Sequence, residues 1–242
     1  MLTRGGDERD LYAAAVDVLA TLHADAAPAL LAPGMPLYPY DEIAQIAEID
    51  LVTEWFLPVA LGRQAADDEI AEHRALWRGA LSIPLGAPAV FVHRDYHAQN
   101  LIWLPQREGV ARVGLIDFQD AVAGSRAQDL MHLVEDARRD ITSETAAATV
   151  QRYLDAAPNL DRDRFSAEMA IVAAQRNARI VGVFARLYKR DAKPRYLAHL
   201  PRVWRYLSRD LEHPVLAPLK AWYDKTLPQD VRGRPRTEGA SA

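Results

Sequence analysis

The sequence predicts a mostly helical α+β chain with one small β-hairpin region near its middle. Three observations lead there. Apolar residues recur at three- and four-residue steps, as in Leu11, Ala15, Val18, Leu19 and Leu22, the period of a helix with one buried face. Short apolar runs of β character cluster between residues 89 and 117. Proline and glycine punctuate the chain at 28–40 and around Pro84 and Pro88, which separates these regions.

The elements follow in order. A helix is expected over 7–25, with Asp7 as its N-cap. Residues 28–40 are expected to form a loop. A helix over 41–57 ends on Trp55, Phe56 and Leu57 before Pro58, and another over 65–81 buries Ile70, Trp77 and Leu81. Three β-like runs follow, 89–92, 101–104 and 112–117, the last two joined by a polar turn at 105–109. Helices are expected over 127–139, 143–156, 163–189 and 194–211, the longest with a stripe from Phe165 to Leu187. The predicted organisation is one lobe over 1–227 and a disordered polar tail over 228–242.

Composition narrows the function. Half of the 242 residues are apolar and 26% are charged, an ordinary globular mixture. A net charge of -4 gives no support to a nucleic-acid partner, which asks for a basic face. With no cysteine, disulfides and thiolate metal sites are excluded. No signal-peptide core opens the chain, and no uncharged apolar run approaches the roughly 18 residues of a membrane span. The expectation is a cytoplasmic protein with neither membrane nor nucleic-acid partners.

The chemistry centres on His93-Arg94-Asp95-Tyr96-His97-Ala98-Gln99-Asn100, of the form H-R-D-x-x-x-x-N, followed by Asp117-Phe118. This is the order of a kinase catalytic loop and its metal-binding aspartate. Asp95 would orient the acceptor hydroxyl or take its proton. Asn100 and Asp117 would offer hard oxygens to Mg2+, and His93 would support the loop. Two other readings use the same residues. Asp95, Asn100 and Asp117 could be turn and strand-end residues. His93, Asp95 and His97 alternate, so an extended strand would put them on one face as a metal site.

Tyr96-His97 after the aspartate and Phe118-Gln119-Asp120 in place of Phe-Gly depart from protein kinases. The chain instead resembles the aminoglycoside phosphotransferase and choline kinase superfamily, also through Gly124-Ser125-Arg126-Ala127-Gln128-Asp129-Leu130. A narrower resemblance, to bacterial anomeric N-acetylmuramate/N-acetylglucosamine kinases, rests on 175–187, 190–197, 116–121 and Glu54-Trp55-Phe56. It runs from about residue 7 to 211. It implies the C-terminal lobe of a protein-kinase-like fold, with Asp129 anchoring the catalytic loop. It also implies ATP with Mg2+ as phosphate donor and an amino sugar as acceptor, phosphorylated during cell-wall recycling.

Glu54, Trp55, Arg176 and Asn177 invite a substrate role. Trp55 could stack on a sugar ring or be plain core. Arg176 could grip a carboxylate through its planar fork or, with Gln175 and Asn177, face solvent or cap neighbouring loops. A nucleotide lobe also needs a glycine-rich cover and a phosphate-pairing lysine. No G-x-G-x-x-G precedes His93, and the four lysines are Lys189, Lys193, Lys220 and Lys225. The expectation is that this chain lacks its nucleotide lobe and is inactive alone. The rival reading is a non-catalytic binding module derived from such a kinase.

Overall fold

The computed structural model describes residues 7–233. Its elements run α1 (Glu8–Leu22), β1 (Leu30–Ala32), β2 (Met35–Pro36), α2 (Glu42–Leu51), a π-helical turn (Val52–Phe56), α3 (Leu57–Leu61), α4 (Asp67–Leu85), β3 (Val90–Val92), β4 (Leu101–Trp103), β5 (Val113–Leu115), β6 (Val122–Gly124), α5 (Ala127–Val134), α6 (Ser143–Ala156), α7 (Arg162–Lys189), α8 (Leu200–Asp210), α9 (Ala217–Thr226) and α10 (Gln229–Arg232). The mostly helical α+β class is what the sequence predicts. The single lobe expected over 1–227 divides into two compact units, Met1–Tyr40 with Gly86–Met169 and Asp41–Leu85 with Ala170–Ala242.

In the first unit α1 starts as expected, with the Asp7 carboxylate accepting from the Arg9 N–H, which satisfies one of the helix's orphan donors. It packs along α6 through Ala15, Val16 and Leu19, and Tyr153 stacks on Phe165 beneath. The strands form antiparallel pairs. β3 lies on β6 in the register Val90↔Gly124, Phe91↔Ala123, Val92↔Val122. β4 lies on β5 in the register Leu101↔Leu115, Ile102↔Gly114, Trp103↔Val113. The stretch 28–40, expected as a loop, holds the small β1–β2 hairpin, and Tyr38 and Tyr40 exchange backbone bonds with Ala123. The helix expected over 127–139 stops at Val134, where the charged run 135–140 ends the apolar period.

The second unit is built on aromatic packing. Trp77, Trp222, Tyr223 and Phe56 are almost fully buried, with His73 among them accepting from the Trp77 indole N–H at 2.9 Å. Burial holds His73 neutral, its pKa pushed down to about 3. α2 does not end before Pro58. It widens into the π-turn, in which the Leu57 N–H reaches back to the Val52 carbonyl, and resumes as α3. Proline lacks an N–H and its ring crowds the carbonyl four residues back, so the turn before Pro58 opens rather than breaks. Gly182 on α7 faces that region, and a Cβ there would lie 2.5–2.7 Å from atoms of Leu51. Of the tail expected to be disordered from 228, residues 229–232 form α10. Val231 is buried, and the Arg232 guanidinium donates to the Leu227 carbonyl and the Asp224 carboxylate. The remainder, 234–242, lies outside the described residues.

Candidate active site

The site grows from the end of β3. The chain leaves Val92, and Arg94 adopts φ 72°, a left-handed conformation that an arginine holds only when its surroundings impose it. The restraint is Asp129, fully buried on the first turn of α5. Its two carboxylate oxygens accept from the His93 N–H at 2.6 Å and the Arg94 N–H at 3.0 Å. Burial raises the Asp129 pKa to about 7, and the two N–H donors oppose that rise.

His93 joins the two halves of the motif. Its Nδ1 accepts from the Asp95 N–H at 3.3 Å, so Nε2 carries the proton and donates to the Ile116 carbonyl at 3.0 Å. Desolvation lowers its pKa, opposed by the Ile116 carbonyl and by the charges of Asp95 and Asp117. One buried ring therefore senses both aspartates. Asn100 closes the loop: its Nδ2 donates to the Asp95 carbonyl at 3.0 Å, its N–H to the His97 carbonyl, and its own carbonyl accepts from Ile116 N–H. Asp117 follows at φ 67°, exposed, with Oδ1 accepting from Gln119 Nε2 at 3.0 Å. Among the described residues, the two non-glycine residues of this unit at positive φ thus lie within the catalytic-loop motif and at its paired aspartate.

The donor set fits a hard cation. With the Asn100 amide nitrogen committed to a carbonyl, its Oδ1 is left to accept, and Asp117 keeps a second oxygen beyond the Gln119 bond. Mg2+ is bound by one or two such oxygens plus substrate phosphates and water. The alternating His93, Asp95 and His97 do not form a metal site. His93 is turned to Ile116, and His97 Nδ1 accepts from the Gln99 N–H to cap the following turn. Among the described residues no cluster of three His, Asp or Glu side chains is placed to hold an ion.

The face of the β4–β5 pair beside Asn100 is apolar and open. Ile102 and Ile116 are 43% and 44% exposed, and Phe118 is 46% exposed. The register puts Asn100, Ile102 and Ile116 on one face. Loss of an upstream lobe, expected from the missing glycine-rich cover and lysine, would leave an apolar surface around residues 1–10 and the hairpin near Trp103; residues 1–6 lie outside the described set.

The four residues offered for substrate belong to the second unit. Glu54 is exposed on the π-turn and Trp55 half-buried, so Trp55 is not plain core. Arg176 and Asn177 are buried rather than solvent-facing: Asn177 Nδ2 donates to Asp210 at 2.8 Å and Arg176 donates to the Asn177 Oδ1 at 3.3 Å. Sequence reasoning took Gln119 only as a departure from protein kinases and His97 only as a candidate metal ligand, and foresaw neither the Gln119–Asp117 bond nor the His97 cap. The signal for Gln119 was its place where kinases carry glycine.

Residues 4–166 match the model of a phosphotransferase enzyme family. The chain belongs to that family. Among its phosphotransferase relatives, an N-acetylmuramate/N-acetylglucosamine kinase of Caulobacter vibrioides is 43% identical over 238 residues, covering 96% of this chain and 64% of that one. A kinase of the same name from Neisseria meningitidis is 35% identical over 193 residues, covering 75% of this chain and 55% of the relative. The chain therefore spans 55–64% of the length of these relatives. Its fold is that of the phosphotransferases. A choline/ethanolamine kinase family protein from Mesorhizobium loti superposes with TM-score 0.56 at 14% identity, over 88% of this chain and 65% of its own. An aminoglycoside phosphotransferase from Alicyclobacillus acidocaldarius gives 0.53 at 18% identity, over 90% and 67%. No helix among the described residues is long and apolar enough to cross a membrane.

Proposed function

We propose that this phosphotransferase sequence serves ATP-dependent phosphate transfer to an amino-sugar hydroxyl. The acceptor would be the anomeric hydroxyl of N-acetylmuramate or N-acetylglucosamine, in cytoplasmic cell-wall recycling. The observation that carries the reading is the linkage of Asp95, Asn100 and Asp117 through the His93 ring and the Asn100 bonds. The names of the similar kinases support the choice of sugar.

In this reading the Asp95 carboxylate receives the acceptor hydroxyl's hydrogen bond and takes its proton as the oxygen bonds to the γ-phosphorus of ATP, whose bond to the bridging oxygen breaks to release ADP. A positioned base of this kind contributes about 10²–10⁴ in rate. Asn100 Oδ1 and Asp117 would hold Mg2+, which supplies neutralisation of charge on the phosphates. His93 and Asp129 keep the loop's left-handed turn, so Asp95 need not reorganise. The open Ile102 and Ile116 face offers a flat apolar seat for the nucleotide base. Glu54 and Trp55, displayed on a π-turn of the sort often found at functional sites, are proposed to contact sugar, as are Arg176 and Asn177.

A second reading is favoured by one observation. The sequence has no lysine before Lys189 and no G-x-G-x-x-G, so these 242 residues alone would bind sugar without turning it over. One assay addresses both. The chain is incubated with Mg-ATP and each sugar, alone and extended by an added nucleotide-binding lobe of the kind this reading requires, and sugar 1-phosphate is measured. We expect turnover only from the extended chain, abolished by Asp95→Asn. Turnover by the short chain removes the second reading; an extended chain indifferent to Asp95→Asn removes the mechanism.

A further inference from the structure

A pocket of about 720 Å³ lies in the first unit, beside the catalytic loop. Its walls include Leu11 and Tyr12 of α1, Gln99 of the loop, Trp103 of β4, and Arg138 from the segment after α5. The volume is within the range of small-molecule sites, which pair apolar walls with a few placed polar groups. Here the charged groups are Asp136, Arg138 and Arg139; Asp136 accepts a backbone N–H and Arg139 is paired with Glu8, which leaves Arg138.

The sequence places Arg138 in the charged run that ends α5. Buried Asp136 shapes the turn by accepting the Arg138 backbone N–H at 2.8 Å. That leaves the side chain exposed at the pocket wall. One guanidinium nitrogen lies 3.5 Å from His97 Nε2, which is also 3.5 Å from Asn100 Nδ2. Because His97 Nδ1 accepts from the Gln99 N–H, a neutral His97 ring carries its proton on Nε2 and offers these donors no acceptor. Arg138 has no ion pair among the described residues, whereas neighbouring Arg139 is tied to Glu8 at 2.6 Å. A five-donor fork thus stands in a pocket beside the catalytic loop, with no ion pair among the described residues and only the 3.5 Å approach to His97 as a polar side-chain contact.

We infer that this pocket is an oxyanion subsite in which Arg138 grips a carboxylate or phosphate of the substrate. The guanidinium matches the paired oxygens of either group. The apolar wall of Leu11 and Trp103 suits a ligand with a carbon body beside its anion. The inference rests on the phosphotransferase reading only for the word substrate; the anion chemistry stands on Arg138 itself. The two sources are the carboxylate of an acidic acceptor sugar and a phosphate of the donor.

Titration calorimetry on the 242-residue chain separates them. The probes are N-acetylmuramate, its carboxylate-free counterpart N-acetylglucosamine, and pyrophosphate. We expect Arg138→Ala to weaken one of the two anions by at least roughly tenfold, the loss expected of a charge-assisted bond, and to leave N-acetylglucosamine unchanged. Loss confined to N-acetylmuramate assigns the acceptor carboxylate; loss of pyrophosphate assigns the donor. Arg138→Lys should recover only part of the affinity. Arg162→Ala, which removes an exposed charge elsewhere in the same unit, should change nothing. Three results overturn the inference: neither anion weakened, neither bound by the parent chain at millimolar concentration, or an equal loss in Arg162→Ala. Mn2+ binding read by EPR in the same samples should need Asp117 and not Arg138, so failure of the metal site and failure of the oxyanion subsite are seen separately.

Discussion

The polar groups buried under the catalytic loop of the first unit and those between the helices of the second serve different ends. In the first, Asp129 and His93 are spent on backbone: two loop N–H groups, the Asp95 N–H and the Ile116 carbonyl. In the second, buried polar groups join side chain to side chain across helices. Asn177 bonds Asp210, Gln175 and Arg179 bond Glu48, and Arg74 forks onto Asp50. The first pattern fixes a loop in a conformation it would not choose, with Arg94 and Asp117 at positive φ. The second adds directional bonds to helix packing that apolar burial already favours. Burial alone therefore does not mark a site; what the buried group holds does.

The comparison breaks most visibly by substitution at its two poles. In an active extended chain, Asp95→Asn should lower kcat by about 10²–10⁴ without moving the thermal midpoint. Asn177→Ala should do the reverse, costing about 1–3 kcal/mol by leaving Asp210 short of a partner. A stable Asn177→Ala with a raised sugar KM would instead transfer Asn177 to the substrate site.

Acid should separate the units next. His73, lowered to about 3, contributes stability that is present above its unfolded value near 6.5 and lost as pH falls. By pH 4.5 that loss is about 3 kcal/mol. Asp224 is lowered as well, by its bonds to Lys220 and Arg232, and works in the same direction. In the first unit His23, lowered to about 3 by burial, is opposed by Asp129, raised to about 7. A raised carboxyl contributes stability that is full below about 4 and lost as pH rises through 7. Hydrogen exchange resolved by segment, at pH 7 and pH 5, should show the second unit loosening first. Equal loosening would mean that the opposition of His23 and Asp129 is not felt.

Two glycines of the second unit sharpen the packing side. Gly182→Ala puts a methyl against Leu51 and should destabilise by about 1–3 kcal/mol. Gly79 on α4 has open space around it, so Gly79→Ala should stabilise by roughly 0.5–1 kcal/mol through helix propensity alone. Chemical denaturation of both variants reads the opposite signs.

How much of this was legible follows from range along the chain. α1, α6 and α7 could be read to within a few residues because cap and apolar period are local signals. The motif His93 to Asn100 with Asp117 was legible for the same reason. β6 was not, since Val122-Ala123-Gly124 becomes a strand only by pairing with β3 thirty residues earlier. The continuation past Pro58 was missed because proline reads as a stop when the wider turn that accommodates it is invisible. Arg138 could not be placed because the sequence reading puts it inside a helix over 127–139, whereas the helix stops at Val134 and Asp136 turns the chain.

The widened turn at Val52–Phe56 has a consequence for length variation. Deleting one residue from an α-helix rotates everything beyond it by about 100°, carrying buried positions to the surface. A π-turn holds one residue more than the α-turn it interrupts. A deletion placed inside it, at Thr53 for instance, can be absorbed by closing the turn, with Ile46 and Ile49 on one side and Leu57 and Ala60 on the other still facing inward. The same deletion at Ala47 has no such slack. This stretch is therefore where the second unit can lose a residue and keep its core.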